Sequence, residues 1–159
     1  MADVNGPVAG DPAPVFSAPR DGGESVSLQD FAGKKVVLYF YPKDDTPGCT
    51  KEGLEFSGLI DDFEAADTVI LGVSRDPVKK HDKFRDKHGL KVILISDEAG
   101  TITEAYGVWV EKAMYGKKYM GIERATFLIN RDGQIAQVWR KVKVPEHAAA
   151  VLAAAKVLT

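Results

Sequence analysis

Several short runs of apolar residues along the chain predict buried β-strands. The run KKVVLYFYP (34–42) is apolar almost throughout, which is typical of a strand covered on both faces, as in a parallel sheet. TVILGVS (68–74) and VILIS (92–96) have the same character. RATFLIN (124–130) and QIAQVWRK (134–141) flank the turn sequence RDG, which predicts an antiparallel hairpin. The pattern indicates a mixed sheet with a parallel part and a terminal hairpin.

Between these runs, apolar residues recur with the period of a helix. One such pattern predicts a helix over residues 47–65. The positions i, i+3, i+4 and i+7 on its core face are Phe56, Leu59, Ile60 and Phe63. A second helix is predicted over residues 76–89, with Asp76 as its N-cap and Pro77 in its first turn. Further helices are expected over residues 99–106 and from about Pro145 through the Ala-rich C-terminus.

The order of the predicted elements, β-α-β-α-β-α-β-β-α, is typical of a three-layer α/β fold with helices on both faces of a mixed sheet. A parallel part followed by a hairpin resembles a thioredoxin-like core. ESVSL (24–28), after the turn residues Gly22 and Gly23, is expected to add an edge strand. The length of 159 residues suits a single domain, 1–159, whose first ten or so residues are expected to be flexible.

Composition and charge argue against several classes of function. Apolar residues make up 45% and charged residues 28% of the chain, as expected for a water-soluble globular protein. A net charge of −2 gives no reason to expect a nucleic acid or an anionic membrane as partner. No apolar run approaches the roughly 20 residues that span a bilayer, and the N-terminus shows no secretory signal pattern.

The single cysteine, Cys49, excludes an intrachain disulfide and fits a reducing compartment, for which the cytoplasm is the expectation. It also excludes zinc sites built on several thiols. The three histidines show no ligand spacing with carboxylates, so no metal site is predicted.

The position of Cys49 favours reactivity over simple burial. With Thr46 as N-cap and Pro47 as the first helical residue, Cys49 is the third residue of the predicted helix, where backbone N–H groups have no intrahelical acceptor. Thiols at helix N-termini ionise more readily than free cysteine, because those N–H groups and the helix dipole stabilise the thiolate. An ionised sulfur is a nucleophile. The alternative is a small core residue, because Cys49 shares a helical face with Phe56.

The loop PKDDTPGC follows a buried strand, where open α/β sheets place their ligand sites. Pro42 restricts the backbone of this loop, and Gly48 permits close approach of other groups. Thr46 offers a hydroxyl that can cap the helix, bond an oxygen atom of a substrate, or do both. The residues between them, Lys43, Asp44 and Asp45, are expected to form a solvated turn.

A second candidate residue, Arg124, stands at the start of the predicted strand RATFLI. A charge that enters an apolar strand requires a partner. Beside Cys49, the guanidinium of Arg124 would stabilise a thiolate and the negative charge on a departing oxygen atom. A structural salt bridge is the alternative.

These residues resemble the active site of peroxiredoxins. PKDDTPGC has the spacing Pro-x-x-x-Thr-x-x-Cys, which looks like the signature of that family. The longer YFYPKDDTPGCTKE is similar to the Q subfamily, also called bacterioferritin comigratory proteins, as are the segments GVSRDP, HDKFRDKH, GVWVEKAMYGKKYMGIERATFLI and VWRKVKV. The resemblance runs from about residue 10 to the C-terminus.

The resemblance implies antioxidant reduction of hydrogen peroxide and organic hydroperoxides, without metal, haem or flavin. Cys49 would be the peroxidatic cysteine and would become a sulfenic acid. Thr46 would hydrogen-bond the peroxide, Pro42 would shield the sulfur from water, and Arg124 would position and polarise the peroxide. Three further residues, Gly48, Glu52 and Tyr39, are expected to support this site or to contact the substrate.

The chain lacks the second, resolving cysteine that many members of the subfamily carry. That cysteine stands either five residues after the first, where this chain has Leu54, or in a later helix, where Arg85 occupies the expected position. The expected partners are therefore a peroxide and an external thiol: a thioredoxin, a glutaredoxin or a low-molecular-weight thiol. The subfamily likeness implies a monomer or weak dimer.

Two other interpretations stay open at this point. A cysteine acyl-transfer hydrolase would need a histidine base near Cys49. A thioredoxin-fold binding module would keep Cys49 inert and buried. The segment that contains Trp109, Tyr115, Tyr119 and Met120 is expected to be a packed loop, with the lining of a hydroperoxide pocket as the alternative.

Overall fold

The computed structural model describes residues 6–159, in which strands and helices alternate as the sequence predicts. The strands are β1 (Ser17–Pro19), β2 (Ser25–Ser27), β3 (Lys35–Phe40), β4 (Thr68–Ser74), β5 (Ile93–Ser96), β6 (Trp109–Met114), β7 (Lys117–Ile122), β8 (Ala125–Ile129) and β9 (Ile135–Trp139). The helices are α1 (Pro47–Gly58), α2 (Ile60–Ala65), α3 (Val78–His88), α4 (Thr101–Ala105) and α5 (His147–Val157).

A five-stranded mixed sheet lies at the centre, in the order β5-β4-β3-β8-β9. β3 runs parallel to β4 and antiparallel to β8, and every residue of β3 is buried. β8 and β9 form the predicted hairpin around the RDG turn, where Asn130 Oδ1 accepts hydrogen bonds from the backbone N–H groups of Asp132 and Gln134. The predicted mixed sheet with a parallel part and a terminal hairpin is confirmed.

Two apolar clusters cover the two faces of this sheet, because alternate residues of β3 point in opposite directions. Val36, Leu38 and Phe40 join one cluster, which also holds residues of α4 and β8. Val37 and Tyr39 join the other, which is covered by α1, α2, α3 and α5 and contains Cys49. The predicted three-layer arrangement is therefore present, with four of the five helices on the face that carries the cysteine.

The predicted helix over residues 47–65 is two helices. α1 ends at Gly58, Leu59 separates the two, and α2 begins at Ile60. The N–H of Leu59 bonds to the carbonyls of Phe56 and Ser57, so the last turn of α1 is tightened. Ser57 and Gly58 are weak helix formers, which accounts for the break at this point. The predicted core residues Phe56 and Phe63 are both fully buried.

The N-terminus of α3 also differs from the prediction. Pro77 occupies the N-cap position, and Asp76 does not cap the helix. The Asp76 carboxylate is buried instead and accepts hydrogen bonds from the Asp44 N–H (2.8 Å) and the Ser74 hydroxyl (2.7 Å). Gly89, with φ +65°, ends α3 in the left-handed conformation.

The segment that was expected to be a packed loop is a hairpin, β6–β7, whose strands pair only with each other among the described strands. Trp109 is half-buried at its base, whereas Tyr115 is 97% exposed, and Tyr119 and Met120 are about half exposed. The prediction of a packed loop was therefore wrong.

The N-terminal segment is held to the sheet from residue 10 onward. The Gly10 N–H bonds to the Ile135 carbonyl, and the Ala13 N–H bonds to the Gly133 carbonyl, both at 2.8 Å. Residues 1–5 lie outside the described residues, so the predicted flexibility of that segment stays a prediction. Between residues 6 and 159, no helix is long and apolar enough to cross a membrane.

Candidate active site

Cys49 lies at the carboxyl end of β3, where the chain leaves the sheet and enters α1. Thr46 has the extended backbone of an N-cap residue, Pro47 is the first helical residue, and Cys49 is the third, as predicted. The thiol is 2% exposed and belongs to the apolar cluster beneath α1. It therefore lies between the free backbone N–H groups of the helix start and the core.

Arg124 joins the cysteine to a carboxylate. One guanidinium nitrogen, Nη2, lies 3.5 Å from Cys49 Sγ, and the other, Nη1, lies 2.7 Å from Glu52 Oε1. Cys49 and Glu52 are three residues apart on α1 and so share one helical face. The Arg124 carbonyl accepts a hydrogen bond from the Val142 N–H (3.0 Å), which fixes the backbone from which the guanidinium extends.

Gly48 makes room for that guanidinium. A Cβ atom at position 48 would lie 3.1 Å from Arg124 Nη2, closer than ordinary van der Waals contact. The backbone of Gly48 has no positive φ, so glycine is not required there for conformational reasons. Its role in the structure is to let Arg124 approach the start of α1.

The Glu52 side chain is 1% exposed, and its second oxygen, Oε2, has no hydrogen-bond partner among the described residues. Burial raises the pKa of Glu52 to about 7, although the charge and hydrogen bond of Arg124 act in the opposite direction. The carboxyl group is therefore close to half protonated at neutral pH. Arg124, with 18% of its side chain exposed, is the member of the trio that faces solvent.

Tyr39 lies under α1. Its ring stacks on Phe56 with a centroid separation of 4.6 Å, and its hydroxyl oxygen lies 3.8 Å from the position that a Cβ atom of Gly53 would occupy. On its other side, a Cβ atom at Gly72 would lie 2.7 Å from the ring, so that glycine lets the ring lie against β4. Burial raises the pKa of Tyr39 well above its usual value, and the charge of Glu52 adds to this effect.

Thr46 and Pro42 frame the loop before α1, and both are half-buried. The Thr46 hydroxyl does not cap α1; it donates a hydrogen bond to the Lys43 carbonyl at 2.8 Å. Because its one proton is used in this bond, the hydroxyl oxygen retains lone pairs that can accept a hydrogen bond. Thr46 therefore occupies the predicted N-cap position, but its hydroxyl makes no capping hydrogen bond.

Sequence reasoning missed the network that holds this loop. Asp44 is buried, not solvated: one carboxylate oxygen accepts from the Tyr41 hydroxyl (2.6 Å), and the other lies 2.6 Å from His81 Nδ1. The second ring nitrogen of His81 lies 2.9 Å from the Ile95 carbonyl, so both nitrogens face oxygen acceptors. Burial alone would lower the pKa of His81, but the hydrogen bond and charge of Asp44 outweigh it and raise that pKa.

The other two histidines also bond away from Cys49. His88 Nε2 contacts Asp45 at 2.8 Å, and His147 Nε2 contacts the Thr126 hydroxyl at 2.8 Å. Burial, with a smaller effect of the Arg124 charge, lowers the pKa of His147 to about 4, so its ring is neutral at physiological pH. A cysteine hydrolase would need a histidine bonded to the thiol, and the described residues do not provide one.

The two positions at which the resemblance to the Q subfamily implies a resolving cysteine lie apart from this site. Leu54 is on the outer side of α1 and is 44% exposed. Arg85 is on α3 and forms ion pairs with Asp21 (3.0 Å) and Asp86 (2.9 Å). Neither position contributes to the contacts around Cys49.

Comparison with known proteins identifies the family of the chain. The model of the AhpC/TSA family matches residues 9–138. The chain is 53% identical to a putative peroxiredoxin Bcp of Coxiella burnetii over 143 residues, which cover 90% of this chain and 95% of that protein. It is 52% identical to the peroxiredoxin Bcp of Xanthomonas campestris over 147 residues, which cover 91% of this chain and 92% of that protein.

Solved structures with a similar fold belong to the same group of proteins. The Xanthomonas campestris bacterioferritin comigratory protein, described for its alkyl peroxide reduction activity, has a TM-score of 0.85 and 51% identity, with 89% of this chain and 90% of that chain covered. A cysteine-to-serine variant of PrxQ from Xylella fastidiosa has a TM-score of 0.91 and 41% identity, with 97% of this chain and 98% of that chain covered. This chain therefore belongs to the AhpC/TSA family, as a thioredoxin-fold peroxiredoxin of the Bcp or Q type, and it is a thiol peroxidase with a single cysteine.

Proposed function

We propose that the protein reduces hydrogen peroxide and organic hydroperoxides through Cys49 alone and that an external thiol completes the cycle. The observation that carries this proposal is the contact between Arg124 Nη2 and the buried Sγ of Cys49, at 3.5 Å. A guanidinium in this place stabilises a thiolate and also reaches an oxygen atom of a peroxide bound to the sulfur.

The chemical step is an attack of the Cys49 thiolate on one oxygen of ROOH. The S–O bond forms as the O–O bond breaks, and the second oxygen leaves with the peroxide proton as ROH, which is water when R is hydrogen. The sulfur loses two electrons and becomes a sulfenate, which takes up a proton to give the sulfenic acid. Arg124 stabilises the charge that shifts onto the leaving oxygen.

The surrounding residues act on the position of the peroxide and of Arg124. The Thr46 oxygen, whose proton is donated to Lys43, accepts the hydrogen bond of the peroxide O–H. Pro42 shields the sulfur from water, and Glu52 holds the guanidinium in the orientation that reaches the sulfur. Gly48 leaves the guanidinium the space it needs. Tyr39 supports α1 from below, where it stacks on the helix.

An external thiol then resolves the sulfenic acid, because the chain has no second cysteine. The thiolate R′S⁻ attacks the sulfenic sulfur, the S–O bond breaks as the mixed disulfide forms, and the oxygen leaves as hydroxide, which takes up the proton that the thiol lost and becomes water. A second thiol reduces the mixed disulfide, which restores Cys49 and releases R′SSR′. We infer a thioredoxin, a glutaredoxin or a low-molecular-weight thiol as reductant, a cytoplasmic location, and a monomer or weak dimer.

A single-turnover experiment tests this function. Pre-reduced wild type and Cys49→Ser are mixed with one equivalent of hydrogen peroxide, without reductant, and peroxide loss is followed by stopped flow. We expect one equivalent to be consumed by the wild type and none by the variant. Mass spectrometry should then show a glutathione mixed disulfide at Cys49 when glutathione is added. Equal, slow consumption by both proteins would return Cys49 to the role of an inert residue in a binding module.

A further inference from the structure

The β6–β7 hairpin carries a cation that the proposed mechanism does not use. Lys112 is half-buried on β6, opposite Tyr119 on β7. The ion pair within the hairpin joins Glu111 to Lys118 at 3.9 Å. Among residues 6–159, no carboxylate lies within 4 Å of the Lys112 ammonium.

The stem of Lys112 lies across its neighbouring strand. Its Cδ and Cε atoms are 3.2 and 3.4 Å from the position that a Cβ atom of Gly121 would occupy. Because Lys112 pairs with Tyr119, Gly121 is two residues nearer to the base of the hairpin. The side chain is therefore folded back toward that base instead of extending into solvent, and the absence of a side chain at Gly121 allows it.

The base of the hairpin leads directly into the active site. Trp109 pairs with Ile122, and the Glu123 N–H bonds to the Val108 carbonyl at 2.7 Å, which closes the hairpin. The next residue is Arg124, which contacts Cys49. The direction of the Lys112 stem thus carries its ammonium toward the guanidinium and the thiol.

The charges around Lys112 agree with this placement. Burial and the positive charge of Arg124 lower the pKa of Lys112, whereas negative charge at Cys49 and Glu123 acts in the opposite direction. The repulsion between the Lys112 ammonium and the Arg124 guanidinium is unfavourable in the free protein. A bound anion would relieve that repulsion.

We propose that Lys112 is a specificity-determining residue that favours hydroperoxides carrying a carboxylate group over neutral hydroperoxides of the same size. The hydroperoxide group would lie at Cys49 and Arg124, and the carboxylate would reach the Lys112 ammonium. Hydrogen peroxide, which is neutral and too small to reach both, is indifferent to Lys112. This inference rests on the proposed function of Cys49.

The test uses a short hydroperoxyalkanoic acid and its methyl ester, which differ in charge at one end only. The second-order rate constant for oxidation of Cys49 is measured with each compound by stopped flow, at low salt and at 0.15 M salt. In Lys112→Gln the acid-to-ester ratio should fall by about threefold to tenfold, as expected for one partly screened ion pair. In Lys112→Glu it should fall further, and added salt should reduce the wild-type ratio.

Two further variants separate charge from structure. Lys118→Gln removes an exposed cation from the same hairpin and should leave the ratio unchanged. Gly121→Ser keeps the charge of Lys112 but occupies the space of its stem, so the ratio should fall. An unchanged ratio in Lys112→Gln, an equal fall for acid and ester, or the same fall in Lys118→Gln would overturn the inference. Failure of the wild type to react with hydrogen peroxide would instead overturn the proposed function, and this inference with it.

Discussion

Replacing Glu52 by glutamine tests the central electrostatic feature of the site, a buried carboxyl group that shares one arginine with the cysteine. Glutamine keeps the shape of the side chain and an oxygen that can accept from Arg124 Nη1, which lies 2.7 Å from Glu52 Oε1. It removes the negative charge and the ability to titrate. The substitution therefore isolates the effect of ionising Glu52.

The size of the effect follows from the pKa of Glu52, which burial raises from 4.5 to about 7 in the folded protein. A shift of this size corresponds to about 3 kcal/mol, at 1.36 kcal/mol per pH unit. The folded protein holds this proton more tightly than the unfolded chain, so ionisation of Glu52 lowers the free energy of unfolding as pH rises. About 2.5 kcal/mol of that loss falls between pH 5 and pH 8.

Urea denaturation of the reduced proteins at pH 5, 6, 7 and 8 measures the effect. The free energy of unfolding of the wild type should fall relative to that of Glu52→Gln by about 2.5 kcal/mol across this range. Glu55→Gln, which removes a half-buried carboxylate from the same helix, should not reproduce this divergence. Wild-type and Glu52→Gln curves that stay parallel from pH 5 to pH 8 would refute the assignment of a proton to Glu52.

The same variant should affect the rate of Cys49 oxidation by hydrogen peroxide. Above pH 7, the wild type has a hydrogen-bonded ion pair between Arg124 and an ionised Glu52, whereas in the variant the same guanidinium donates to a neutral amide oxygen and holds it less strongly. If the interaction that orients Arg124 is weaker by about 1.5 kcal/mol and this loss appears in the activation free energy, the rate constant falls by about tenfold. Below pH 6, Glu52 is protonated in the wild type, so the two rate constants should converge. A ratio that does not depend on pH would contradict this explanation.

Three further substitutions have separable outcomes. Gly48→Ala places a Cβ atom 3.1 Å from Arg124 Nη2, so Cys49 oxidation should slow by about tenfold. The free energy of unfolding in urea should hold or rise by up to about 1 kcal/mol, because alanine favours a helix. An unchanged rate constant would contradict the role of Gly48 in making room for Arg124. Lys35→Met removes two hydrogen bonds, of 2.7 and 2.8 Å, to carbonyls at the end of α5, so the free energy of unfolding should fall by about 2 kcal/mol in the same assay. An unchanged urea midpoint would show that these bonds do not stabilise the fold. His81→Asn leaves the buried Asp44 carboxylate with the Tyr41 hydroxyl but without its histidine partner and should cost about 3 kcal/mol. Because the pKa of His81 is raised in the folded protein, the loss of stability in His81→Asn should be full below pH 6.5 and should shrink as pH rises through the pKa of folded His81. Equal losses at pH 6 and pH 9 would contradict this pH dependence.

The parts of the structure that the sequence predicts correctly depend on local patterns. The apolar run around β3 predicts a strand buried on both faces, and all six residues of that strand are buried. The order Thr-Pro-Gly-Cys predicts Cys49 as the third residue of a helix, because N-cap and proline preferences act within a few residues. Cys49 and Glu52 then share a face by helix geometry alone.

The β6–β7 hairpin could not be predicted in this way. Its strands pair with each other and lie apart from the five-stranded sheet, so most of their side chains are half or fully exposed and show no alternating pattern. Its turn places Tyr115 and Gly116 at positive φ, and tyrosine is an unusual residue in that conformation. Gly116 is the one local signal in the sequence that indicated a turn.

The buried Asp44–His81 pair was missed for a different reason. Asp44 lies in a charged stretch between two prolines, which locally indicates a solvated turn. Its partner lies 37 residues later, on α3, and meets it only because β3 and β4 end at the same edge of the sheet. No local pattern contains this information, so the fixed geometry of the active-site loop becomes visible only in the folded chain.

The contacts of the Cys49 sulfur do not depend on a second thiol, because the ion pair beside the sulfur is built from α1 and from the residue that precedes β8. Cys49, Glu52 and Gly48 belong to α1, and Arg124 precedes β8. Leu54 is 44% exposed on the outer side of α1, so its side chain takes no part in these contacts. In the proposed cycle, the second half depends on an external thiol. The sulfur is 2% exposed, and the partly exposed residues around it are Arg124, Pro42, Thr46 and Gly48, so we expect an external thiol to approach through the opening between them. Arg124, which we propose stabilises the first reaction, would then also lie beside the path of the second.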